Sequence, residues 1–218
     1  TYGNNSHGIL METLSNSNIA ERNTITTNGT NGDGIRASFS DNLTIKFNII
    51  STNNYEGFGF HLMTSDNNTI LNNTITTSGG DGYGMRLSSS SSLSKSTIIE
   101  NNTITTNGTN GYGIFASKHF SLSIKGNNVN TRNTSSLGMW LQASSNNTLL
   151  NNSFITILSN GILLDGVLNT TISLGIINGT SNGITAYNSS GINATNITFT
   201  SNTYDLNITN SSSLISIN

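Results

Sequence analysis

Arg36, His61, Arg86, Phe115 and Trp140 share one position in a recurring phrase: each stands two residues after a glycine and between two apolar residues. The same rule adds Leu10, Leu163 and Thr185 to the column. On a strand, residues at this offset point away from their apolar neighbours, toward the outer face. Guanidinium and imidazole groups beside planar rings suit an extended glycan, which offers hydroxyls to hydrogen-bond and ring faces to stack on. Burial against another subunit, domain or loop would account for the same exposed Phe, Trp and Leu.

Hydrolysis of a polysaccharide needs two carboxylates, roughly 5–5.5 Å apart for retention or 6.5–9.5 Å for inversion. The ten acids are Glu12, Glu21, Asp33, Asp41, Glu56, Asp66, Asp81, Glu100, Asp165 and Asp205, and few share a register. Asp33 and Asp81 sit in Gly-Asp-Gly phrases two repeats apart, with Glu56 in a comparable turn between them. Asp41 and Asp66, each seven residues after its glycine, form the best adjacent pair, although Asp before Asn is also ordinary turn chemistry. His7, His61 and His119 fall at different offsets, and the methionines form no outward cluster, so neither a metal nor another cofactor is expected. Gly79-Gly80-Asp81-Gly82 resembles a piece of a calcium-binding nonapeptide, but it does not recur every nine residues and reads as a turn.

The elements carrying these residues follow from the glycines. Gly8, Gly34, Gly59, Gly84, Gly113, Gly138, Gly161, Gly183 and a degenerate Asp205 are separated by 26, 25, 25, 29, 25, 23, 22 and 22 residues, the period of a solenoid. After each glycine, positions one and three are apolar, as in Ile35/Ala37 and Phe60/Leu62. A second apolar column comes about eleven residues later: Ile19, Ile45, Ile70, Ile99, Ile124, Leu149 and Ile172. A third follows: Ile25, Ile50, Ile75, Ile104, Val129, Phe154 and Ile177.

Three short inward-facing strands per repeat predict an all-β, single-stranded parallel β-helix of about nine coils, each strand pairing with its equivalent in the next coil. At about 4.8 Å per coil the rod is about 40 Å long. Asn23, Asn48, Asn73, Asn102, Asn127 and Asn152 recur at one corner, where stacked amides can form a ladder and tolerate left-handed backbone. The long step of 29 residues fits a surface loop within Leu87-Ser88-Ser89-Ser90-Ser91-Ser92-Leu93.

Charged residues are 8% of the chain and the net charge is -2, which disfavours a nucleic-acid partner. Cysteine and proline are absent, so disulfides cannot hold the fold. No apolar run approaches the roughly 20 residues of a membrane-spanning helix. The start lacks an initiator Met and a signal-peptide pattern, so residues 1–218 are expected to be one β-helix domain, processed or cut from a longer surface protein.

Ser65-Asp66-Asn67-Asn68-Thr69-Ile70-Leu71-Asn72-Asn73-Thr74-Ile75 and Ser145-Asn146-Asn147-Thr148-Leu149-Leu150-Asn151-Asn152-Ser153-Phe154 resemble the right-handed parallel β-helix repeat family of the pectate-lyase-like superfamily. The resemblance covers essentially the whole chain and implies right-handed coils. Relatives include polysaccharide lyases, hydrolases, epimerases, tailspikes, carbohydrate-binding proteins and adhesin-like surface proteins, archaeal ones among them. The paired-Asp, Gly-His-Gly and Arg-x-Lys phrases of the hydrolases are missing, and a chain without proline cannot carry the lyases' Arg beside Pro.

Seventeen Asn-x-Ser/Thr sequons occur, including Asn28, Asn42, Asn107, Asn133, Asn169, Asn178 and Asn193, and beyond Arg132 the only charged side chains are Asp165 and Asp205. Such a surface calls for glycosylation or assembly, both pointing outside the cell. The expectation is therefore a non-enzymatic structural or adhesive solenoid of a cell surface, fibre or surface layer. It would assemble with itself or with other surface proteins through uncapped coil ends, the last reading as strand through Leu214-Ile215-Ser216-Ile217. A polysaccharide-active enzyme or a carbohydrate-binding module is the alternative.

Overall fold

In a computed structural model, which describes residues 1–90, 94–179 and 181–211, the chain winds into a right-handed parallel β-solenoid with three strands per coil. The first sheet stacks Ile9–Glu12, Ile35–Ser38, Phe60–Met63, Met85–Ser88, Ile114–Ser117, Met139–Gln142, Ile162–Asp165, Asn182–Tyr187 and Tyr204–Thr209 in sequence order. This sheet has nine strands and the other two long sheets have eight each, giving about eight full turns rather than nine.

The interior is the three expected columns. Ile9, Ile35, Phe60, Met85, Ile114, Met139, Ile162 and Ile184 pair in unbroken register, as do Ile25, Ile50, Ile75, Ile104, Val129, Phe154 and Ile177. The second column needs one correction. Ala20, not Ile19, pairs with Ile45 and faces inward, while Ile19 pairs with Thr44 and is 65% exposed. The first repeat is 26 residues long, so a count of eleven from Gly8 stops one residue short and lands on the opposite face.

Each coil buries three or more aliphatic side chains at about 1.5–3 kcal/mol apiece, whereas a single hydrogen bond nets about 1 kcal/mol. The columns therefore supply the stability, and the polar ladders set the register. The corner asparagines form the expected ladder: each Nδ2 of Asn23, Asn48, Asn73, Asn102 and Asn127 donates to the next Oδ1 at 3.0 Å, ending at Asn152. The left-handed residue is the one before the ladder asparagine, namely Arg22, Phe47, Asn72, Asn101, Gly126, Asn151 and Leu174.

Of the long insertion, Ser91, Ser92 and Leu93 lie outside the described residues, and Ser94–Lys95 pairs in parallel with His119–Phe120. Leu214, Ile215, Ser216 and Ile217 also lie outside them. No helix of the described chain is long and apolar enough to cross a membrane.

Candidate functional site

The repeating glycines have no room for a side chain. A Cβ on Gly34 would collide with Ile50 Cγ2 and with the Gly59 carbonyl, and Gly59 and Gly84 are closed in by Ile75 and Ile104 in the same way. The chain is pinned there against the third sheet, so the residues on either side keep the same position in every coil. The column after the glycine runs Leu10, Arg36, His61, Arg86, Phe115, Trp140, Leu163, in strict register.

A second column runs before it. The N–H groups of Gly8, Gly34, Gly59, Gly84 and Gly113 donate to the carbonyls of Asp33, Phe58, Tyr83, Tyr112 and Leu137, which aligns His7, Asp33, Phe58, Tyr83, Tyr112 and Leu137 one coil apart. The turns leading into this column are closed by Thr27, Thr52 and Thr77, whose hydroxyls donate to the carbonyls of Gly32, Gly57 and Gly82 at 2.7–2.8 Å. The sequence reading missed this second column, although counting one residue back from each glycine would have found it.

The two columns meet at Asp33, whose side chain is only 2% exposed. Its Oδ1 accepts the Phe58 N–H at 3.1 Å, and its Oδ2 lies 3.1 Å from His61 Nδ1 and 3.6 Å from Arg36 Nη1. His7 Nδ1 is 3.5 Å from the same oxygen, but it also accepts the Asp33 N–H at 3.1 Å. One nitrogen cannot hold a proton for the carboxylate while accepting that N–H, so His7 is read as neutral there. Burial agrees, pushing the His7 pKa below its usual value against the pull of Asp33.

With Nδ1–H donated to Asp33, His61 presents Nε2, a buried atom without a partner. His61 was expected on the outer face as an exposed contact; it lies on that face but is 6% exposed, with Phe58 edge-on to its ring at 4.9 Å. A pocket of about 180 Å³ opens here, lined by Asn31, Arg36, Glu56, Phe58, His61 and Arg86 among others. A carboxylate orienting an imidazole whose far nitrogen is free is an arrangement capable of proton transfer.

Beyond the pocket the same wall becomes aromatic. Arg86 lies over the Phe58 ring at 5.1 Å, Phe58 meets Tyr83 at 5.1 Å, and Tyr83 stacks on Tyr112 at 4.7 Å. Trp140 meets Tyr112 edge-on at 5.6 Å and Phe115 at 5.1 Å. Tyr83, Tyr112, Phe115 and Trp140 are half-buried, whereas Phe58 is buried beneath them. Burial pushes the Tyr83 phenol up to about 12 and raises that of Tyr112, so both stay neutral hydrogen-bonding groups.

The acids singled out from the sequence separate into two structural roles. Asp41 Oδ1 accepts the Asp66 N–H at 2.7 Å and Asp66 Oδ1 accepts the Lys95 N–H at 2.9 Å, so this pair is a turn ladder. Asp81 does not share the register of Asp33. It aligns with Asn31, Glu56 and Asn110 in left-handed turn positions, putting Glu56 and Asp81 on neighbouring coils. Two of the three histidines, His7 and His61, do converge, reaching Asp33 from opposite columns. No group of three metal-holding side chains occurs among the described residues.

Asn42, Asn107, Asn169 and Asn193 are exposed, whereas Asn28, Asn133 and Asn178 are half-buried. A larger cleft of about 550 Å³ lies at the opposite corner, by Leu150, Leu174 and Ile176. Lys125 is its sole charged lining residue, so it lacks the acid–base groups of the smaller pocket.

The fold and this wall define a right-handed parallel β-solenoid with a polar pocket continued by an aromatic strip. The chain belongs to the family described as right handed beta helix region, which matches residues 1–133 and 94–218. No curated protein matches it. Among solved structures it is similar to a mannuronan C-5 epimerase A-module of Azotobacter vinelandii, at 13% identity and a TM-score of 0.51, over 98% of this chain and 75% of that one. It is also similar to tailspike protein 3 of bacteriophage CBA120, at 14% identity and a TM-score of 0.50, over 88% of this chain and 46% of that one. The chain thus spans less than half of the tailspike, and at these identities the likeness is one of fold.

The expectation of a non-enzymatic chain is overturned. Coils of this fold are those of a polysaccharide epimerase module, so missing lyase and hydrolase phrases do not argue against catalysis.

Proposed function

We propose that the chain is a polysaccharide-active β-solenoid that holds an extended glycan along its first sheet, with the rings from Tyr83 to Trp140 as the platform and the Asp33–His61 pair as the acid–base centre. The observation that carries this reading is the placement of a buried, oriented imidazole with a free nitrogen in a pocket that opens directly onto an aromatic strip. Sugar rings present apolar faces that stack on such side chains, and hydroxyls that pair with neutral phenols. The fold's occurrence in an epimerase module and in a tailspike supports the same reading. The sequons and the sparse charge of the last third support an exterior location.

Trp140 is the only tryptophan, so its fluorescence reports directly on the strip. Titration with a panel of polysaccharides is expected to shift that emission, and the ligands that bind are to be checked for product. His61→Ala should abolish turnover while retaining binding, and Tyr83→Ala should weaken binding at least tenfold. A protein that binds and alters no member of the panel contradicts the proposal.

A further inference from the structure

We infer that the preferred glycan carries a single carboxylate-bearing sugar over Arg36, His61 and Arg86, followed by uncharged sugars along the aromatic strip: a mixed chain rather than a polyuronate. This rests on the glycan reading above and narrows it.

Three buried polar atoms on consecutive strands lack partners: Arg36 Nε, His61 Nε2 and Arg86 Nε. The two arginine Nε–H groups are donors, and buried donors without partners are rare; the pair on one wall implies a bound anionic group that accepts from them, while His61 Nε2, with the ring proton given to Asp33 from Nδ1, is left to accept a sugar hydroxyl. Asp33 cannot serve both arginines, because its oxygens are already held by the Phe58 N–H, His61 and, at 3.6 Å, Arg36. Among the described residues Arg86 has no carboxylate within ion-pair distance. Its plane is held over Phe58, which leaves the edge free to meet a carboxylate side-on.

The cations then stop. After Arg86 the two columns read Tyr112, Leu137 and Phe115, Trp140, Leu163, without a basic residue. Burial, with a smaller push from the Asp81 carboxylate, raises the pKa values of Tyr83 and Tyr112 and keeps both phenols neutral. A second carboxylate one or two coils further on would find neutral rings and no basic residue in either column. Uncharged sugar faces meet neutral rings there instead.

The test compares three oligosaccharides of equal length by Trp140 fluorescence and calorimetry: a neutral xylo-oligosaccharide, the same chain bearing one glucuronate, and an oligogalacturonate. The singly charged chain is expected to bind at least tenfold more tightly than either of the others. Its advantage over the neutral chain should shrink at high salt and vanish in Arg86→Ala. Salt dependence in the unaltered protein keeps the test valid should that variant fold poorly. Equal binding of the neutral chain overturns the anionic subsite, and equal or tighter binding of the oligogalacturonate overturns the mixed pattern; either result leaves the glycan reading standing. Binding of acetate alone as tightly as the singly charged chain also overturns the inference. Binding of none of the three, together with no response to the wider panel, removes both readings.

Discussion

Asp33 and His61 lie 28 residues apart in sequence, yet Oδ2 of one is 3.1 Å from Nδ1 of the other. They meet because Asp33 precedes one repeating glycine and His61 follows the next, so a step of one coil brings the two columns together diagonally.

Asp33→Ala leaves the Phe58 N–H and the His61 ring proton buried without an acceptor. A loss of about 3 kcal/mol in stability is expected by chemical denaturation, since each buried donor left without its charged acceptor costs about 1.5–3 kcal/mol. Asp33→Asn keeps an acceptor and should lose less stability, but it no longer stabilises a protonated His61 and should lose turnover.

His119 is buried, and desolvation holds its pKa at about 4 against an ordinary 6.5. Asp66 and the Leu87 backbone pull the other way, but neither ring nitrogen has a partner in good hydrogen-bond geometry, so burial prevails. The folded state therefore binds this proton more weakly than the unfolded chain does. Its contribution is fully present above pH 6.5 and is lost as pH falls toward 4, by about 3 kcal/mol in all. His7 is lowered too and adds to the loss in the same direction. Denaturation midpoints measured from pH 7 to 4 should fall, and His119→Leu should flatten the curve.

Asn102 Oδ1 accepts both the main-chain N–H and the Nδ2 of Asn73, while its own Nδ2 reaches the Ile70 carbonyl at 3.0 Å. Asn102→Ala strips partners from several buried groups at once. Thermal and denaturant unfolding should show a loss of roughly 2–4 kcal/mol. Asn107→Ala, at an exposed asparagine outside both the ladder and the left-handed corners, should change stability by clearly less.

Leu174 has φ 54 and stands at the left-handed corner that Asn72, Asn101, Gly126 and Asn151 fill with asparagine or glycine. A left-handed leucine costs about 1–2 kcal/mol, and its side chain is 55% exposed. Leu174→Asn is therefore expected to raise the unfolding midpoint, whereas the same change at the buried Leu164 should lower it sharply.

Native material is expected to carry N-linked glycans at two or more of Asn42, Asn107, Asn169 and Asn193. Half-buried Asn28 should be occupied less than these exposed sites. Glycopeptide mapping checks both, and four bare exposed sites would remove this support for an exterior location.

The inward columns were legible because burial repeats at a fixed period, and the Asn ladder because one residue type recurs with it. Ile19 was misread where the period itself slips by one. Phe58, Tyr83 and Tyr112 are less legible because the position before each glycine changes type from coil to coil, through His7, Asp33 and Leu137 as well, and so forms no repeated phrase. Asp33 was grouped with Asp81 because Gly-Asp-Gly occurs at both; only in the first is the second glycine the one locked under an isoleucine. The repeat itself carries that distinction: Asp33 directly precedes the repeating Gly34, whereas Asp81 stands three residues before the repeating Gly84.

The uniform spacing of coil contacts also bears on how the chain reaches its fold. Nearly every ladder bond joins residues 22 to 29 positions apart, whether near the first coil or the last. No strand must wait for a distant partner, so each new coil can close onto a finished one as the polypeptide leaves the ribosome. Once a first pair of coils is in place, growth is a series of equivalent zippering steps, and a stalled or shortened chain exposes a templating edge rather than an unfolded core.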